Sequence, residues 1–154
     1  MPEISPLPAD IAHIIQLAIA PVFTLAGIGG LLNVMANRLA RVVDRWRALE
    51  AELANAEGAV HARHVTELGI LDRRMAQIHR AIALSTLAAL LICLVIILLF
   101  AGQLVALPVA QIVAVLFAGS MVFLSIALIS FLREVRIASR YLRVTRDVLE
   151  AKKA

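Results

Sequence analysis

The chain has 154 residues, 62% of them hydrophobic and 17% charged, with a formal net charge of +4 and a single cysteine. Soluble domains sit nearer about 45–50% apolar and about 25% charged, so an ordinary globule is excluded, as are a disordered tail, a disulfide scaffold and a collagen-like fibre. Not one side chain from Ala81 to Leu132 is charged, and that points to an integral membrane protein of one domain.

Residues 1–10 form a short arm, Pro-rich and without a basic residue, so no cleaved signal peptide is expected. A bilayer core of about 30 Å needs roughly 20 apolar helical residues, and the run from Ile11 to Leu32 supplies the first. The predicted first span covers 11–37 and begins near Asp10, an N-cap candidate behind Pro8. Pro21 lies mid-span, where a missing N–H is expected to kink the helix.

Residues 38–80 are charged but keep a helical period. Leu39, Val42, Trp46, Leu49, Leu53 and Ala56 recur at alternating three- and four-residue spacing, a coiled-coil seam. Gly58 breaks it. A second seam then runs His61, His64, Leu68, Leu71, Met75, Ile78, Ile82 into the next span. An antiparallel hairpin with its tip near Gly58 follows, with Asp44 expected opposite Arg73 and Arg45 opposite Asp72.

The second span is predicted at 81–102, a tight turn at 103–107, and the third span at 108–132, with Pro108 suited to the first turn of its helix. The tail, 133–154, repeats the pattern through Phe131, Val135, Ala138, Leu142, Thr145 and Leu149. The fold class is therefore all-α: three transmembrane helices extended into a cytoplasmic three-helix, coiled-coil-like bundle.

All 15 Lys and Arg lie between Arg38 and Arg80 or between Arg133 and Lys153. The positive-inside rule then puts the N-terminus outside, and the 38–80 segment and the C-terminal tail in the cytoplasm. The basic balance is thus a topology signal. The bases lack the interleaved aromatics of a nucleic-acid groove, and no nucleic-acid partner is expected. Arg133 and Arg136 are placed to anchor the last helix to lipid headgroups.

The first helix carries a second stripe opposite its seam: Gln16, Ala20, Phe23, Gly27, Gly30, Asn33, Asn37, Arg41 and Asp44. Intramembrane polar groups face protein or a water-filled cavity, and small residues permit close helix approach. Once the seam is used inside the subunit, the stripe is available to another copy of the chain. Three readings stay open: a close-packed homo-oligomer contact; a pore lined by several copies, with Asn33 and Asn37 as polar rings and Arg41 at the inner mouth; or a pocket for a lipid or small molecule.

Other chemistry is sparse. His61 and His64, with Glu57 and Glu67 in reach, have a spacing that metal ligands use, but they read as polar surface at an exposed tip, and no metal or other cofactor is expected. Cys93 is alone mid-span and reads as packing. With no Walker loop, nucleophile elbow, C-x-x-C or H-E-x-x-H, nothing marks an enzyme. The functional classes left are a structural or regulatory membrane protein, whose stalk could dock a cytoplasmic protein, and an ion channel or transporter subunit.

The run Gln16–Asn33, with Ala20-Pro21-Val22-Phe23 and a Gly-rich turn of helix, precedes Arg38-Leu39-Ala40-Arg41 and Asp44-Arg45. Together with the later Leu71-Asp72-Arg73-Arg74, it resembles a bacterial family of small membrane proteins catalogued as a domain of unknown function, family 2721. The resemblance covers most of Ile11 to Leu132. It implies three spans and a bacterial inner-membrane location, and brings no activity or functional residues.

Overall fold

The computed structural model describes the backbone of residues 7–54, 56–105 and 108–151, and the side chains of 12–54, 56–102 and 108–136. Three helices follow in order: α1 over Leu7–Leu53, α2 over Gly58–Val105 and α3 over Ala110–Ala151. At 1.5 Å per residue, even the shortest is about 60 Å long, twice a bilayer core. Each contains a stretch long and apolar enough to cross a membrane. The chain is a multi-pass membrane protein by length and composition.

α1 starts at Leu7 rather than at Asp10. The correction has a simple cause: Pro8 lacks an N–H, but the first turn of a helix has no acceptor for one, so proline belongs there and does not delay the start. α1 also continues unbroken through Pro21. At the other end, Pro108 and Val109 precede α3 instead of forming its first turn. Val109 caps it, its carbonyl accepting from the Val113 N–H at 3.0 Å.

Packing follows the seam. On α1 the inward face reads Ile14, Ala18, Pro21, Ile28, Met35, Val42 and Leu49, all buried. The three–four spacing thus holds from the apolar end of the helix almost to its tip. On α2, Leu71, Ile78 and Ala81 answer it, forming one core cluster with Met35, Val42 and Leu49. A second cluster, Ile28 with Ala88 and Ile92, gathers Phe117, Met121 and Leu124 from α3. His61, the expected start of the second seam, is exposed.

The three helices are not equivalent. α2 is the middle element; α1 and α3 both pack on it and touch each other little. Of the tail seam, Phe131 and Val135 are half-buried, and Ala138, Leu142, Thr145 and Leu149 lie beyond the described side chains.

Two glycines make the connections possible. Gly58 opens α2 with φ +57°, a left-handed conformation that costs other residues roughly 1–2 kcal/mol. Gly102 faces Val109 so closely that a Cβ there would overlap the valine methyl. The two connections are built differently: the first needs backbone freedom, the second needs space.

Candidate functional site

Every residue of the α1 stripe is exposed: Gln16, Ala20, Phe23, Gly27, Gly30, Asn33, Asn37, Arg41 and Asp44. Among the described residues, no other helix covers it. A Cβ added at Gly27 or Gly30 would meet nothing within 4 Å, so these glycines are not explained by packing inside the subunit. Phe23 is 74% exposed. Asn37 Nδ2 donates to Asn33 Oδ1 at 3.2 Å, so the two amides satisfy each other in part along the helix.

A second constellation, absent from the sequence reading, ties all three helices together. Glu134 of α3 is fully buried. Its Oε1 accepts from Arg74 of α2, from Nε at 3.2 Å and from Nη2 at 2.9 Å. Its Oε2 stands 3.4 Å from Nε of Arg38 on α1, and the Arg38 guanidinium lies over the Phe131 ring, 5.4 Å from its centre. Oε2 has no well-aligned donor, so its contact with Arg38 is ionic. Burying a carboxylate is costly unless it is paired and hydrogen-bonded, and two guanidiniums meet that need here. The signal was present: Ala127, Ser130 and Glu134 are all buried and continue a three–four inward face on α3. Glu134 hid among the bases of the tail.

The clasp sets a common level, because salt-bridged groups cannot lie far apart along the bundle axis. Measured from it with the helical rise, Asn37 is at the same height, Asn33 about 7.5 Å and Arg80 about 9 Å toward the apolar end, and Gln16 about 33 Å. The polar members of the stripe therefore gather near the two ends of the span. Between them lie only Ala20, Phe23, Gly27 and Gly30.

Toward the tip, the expected pairs of Asp44 with Arg73 and of Arg45 with Asp72 do not form. Arg45 instead gives Glu67 Oε1 two bonds, from Nε at 3.1 Å and Nη2 at 2.9 Å. His64 Nε2 stands 3.9 Å from Glu52 Oε2. Arg133 and Arg136 are exposed, level with the clasp. Cys93 is half-buried and unbridged. Between α1 and α3, at the apolar end, an open apolar groove of about 280 Å³ runs past Leu17, Pro21, Ala114 and Phe117.

Residues 18–144 match DUF2721, a protein family of unknown function. The chain belongs to that family. No curated protein and no solved structure matches it.

Proposed function

We propose that the chain is a homo-oligomeric protein of the bacterial inner membrane, structural or regulatory in role, in which the stripe on α1 forms the contact between copies. The N-terminus lies outside, and residues 38–80 and the C-terminal segment form a cytoplasmic, coiled-coil-like stalk on which a cytoplasmic protein can dock. Arg133 and Arg136 anchor α3 to the headgroups. The molecule acts by assembly rather than catalysis and needs no cofactor.

The observation that carries this reading is the open face at Gly27 and Gly30. Without water inside the bilayer, helices associate through close packing, and small residues on a free face allow it. The groups that a partner helix would approach in mid-span are Ala20, Gly27 and Gly30, with Phe23 as the protruding knob.

The experiment uses single cysteines in a Cys93→Ser background. Ala20→Cys should give an oxidative cross-link between copies in native membranes, while Val122→Cys, equally lipid-accessible but on α3, should not. Equal cross-linking at both positions, or none at Ala20→Cys, overturns the contact. The same background reports orientation: cysteines at Gly58 and Gln103 should label from opposite sides of the membrane, position 58 only after the cytoplasm is opened.

The channel reading retains one supporting feature, the Asn33–Asn37 amide ladder with Arg41 one turn beyond. Its polar rings would stand only at the basic mouth, because the mid-span stripe offers no polar side chain. Liposomes holding wild type or the Asn33→Leu, Asn37→Leu double variant at equal oligomer content separate the two. Flux that the double variant abolishes would establish a pore; no wild-type flux of K⁺, Na⁺, Ca²⁺ or Cl⁻ would exclude one.

A further inference from the structure

The clasp absorbs the acid that would otherwise neutralise the basic end of the span. From the level of Arg80 down to that of Glu134, the three helices contribute residues 32–38, 74–80 and 128–134, and Glu134 is the one acid among them. It is buried and held by Arg38 and Arg74. The exposed bases around it include Arg73 and Arg136 as well as Arg41 on α1, Arg80 on α2 and Arg133 on α3; the last three form no ion pair among the described residues. Beyond the clasp the next acids are the exposed Asp72 on α2 and Asp44 on α1, about 3 Å and about 9 Å farther from the span.

Helix direction brings these three to one plane. Side chains lean toward the N-terminus of their own helix. α1 and α3 run toward the basic end, so Arg41 and Arg133 lean back toward the hydrocarbon. α2 runs the other way, so Arg80, set about 9 Å deeper than the clasp, leans out toward the headgroups. Long arginine stems bury their methylenes while the charged head stays in the polar layer. One arginine from each helix thus reaches the headgroup layer, a shell of roughly 5–8 Å on each side of the bilayer core.

We propose that Arg41, Arg80 and Arg133 form a collar that binds the phosphodiester headgroups of anionic lipids, so that the protein selects an anionic annulus at its basic end. This rests on the membrane-spanning reading above. Guanidinium is suited to the task because its fork pairs with phosphate oxygens in two-bond geometry. Removing one such charge near an anionic surface is worth about 1 kcal/mol, roughly fivefold in lipid affinity.

The test is native mass spectrometry of protein released from nanodiscs of phosphatidylcholine mixed with phosphatidylglycerol, counting each lipid retained. Wild type should retain phosphatidylglycerol preferentially. The Arg80→Gln, Arg133→Gln double variant should lose that preference by more than tenfold, whereas Arg80→Lys, Arg133→Lys should keep most of it. Arg47→Gln, on the stalk about 13 Å beyond the clasp, should behave as wild type. An unchanged preference in the glutamine variant overturns the collar, and so does displacement of the lipid by inorganic phosphate, which would mark a simple anion site. Failure of the wild type to enter nanodiscs would instead overturn the membrane reading itself.

Discussion

At the clasp, one buried carboxylate joins three helices: Glu134 accepts two hydrogen bonds from Arg74 and makes an ionic contact with Arg38. About 25 Å away along α1, around Pro21, α1 and α3 stand apart and an apolar groove of about 280 Å³ separates them. Both ends are built on the same middle helix, and both carry the same three–four seam between α1 and α2. What differs is the third contact. In a bilayer, lipid chains are as apolar as leucine, so nothing drives α1 and α3 together where both are merely greasy. A charge that must be paired does drive them together. The comparison teaches that the apolar end tolerates a gap and the basic end does not.

The largest test of that contrast is Glu134→Ala. It leaves Arg38 and Arg74, each about a quarter exposed, without their counter-charge, and unfolding should become easier by about 3 kcal/mol, the low end for breaking a buried pair. Steric trapping or denaturant titration in micelles measures it. Adding Arg38→Met and Arg74→Met to Glu134→Leu should recover most of the loss, since apolar replacement of a whole buried set is often neutral or better. No recovery would mean the clasp contributes packing rather than charge balance.

Gly102→Ala comes next. Its Cβ must push Val109 away, and a β-branched side chain has few rotamers to retreat into, so a loss of about 1–2 kcal/mol is expected from overpacking. Among the described glycines, Gly102 is where an added methyl meets a neighbour most closely. Gly58→Ala should cost about 1 kcal/mol through its left-handed backbone, with lipid and oligomer properties unchanged. The smallest effect belongs to Ala114→Leu, which extends a side chain into the groove beside Phe117. Thermal stability should not move measurably. A clear loss would show that the groove walls are already in close contact in the membrane, and would remove the contrast between the two ends.

How the sequence carried these features depends on how local each one is. The seam and the tip near Gly58 are one-dimensional signals: periodicity, and a glycine that permits φ +57°; the turn expected at 103–107 is less so, since α2 stays helical to Val105. The exposed stripe on α1 follows from the same period, because a face opposite the seam of a two-helix contact must point outward.

The ion pairs are different. Register along a hairpin fixes the height of a partner but not the side on which it stands. Glu67 and Asp72 are five residues apart, so they point about 140° apart around α2 at 100° per residue. Only Glu67 faces the flank on which Arg45 lies. The clasp needs three such azimuths at once, from residues 38, 74 and 134, and Glu134 sits in a run where every neighbouring charge is basic. In the sequence it is simply an acid beside Arg133 and Arg136, whereas its place on the inward face with Ala127 and Ser130 makes it a core residue.

The position of Glu134 on the last helix also imposes an order on biogenesis. Arg38 and Arg74 precede Glu134 in the chain, so both are synthesised before the acid that they contact in the finished bundle. The carboxylate that reconciles them arrives with α3. A buried acid supplied last means that the two arginines gain their shared counter-charge only when the third helix packs.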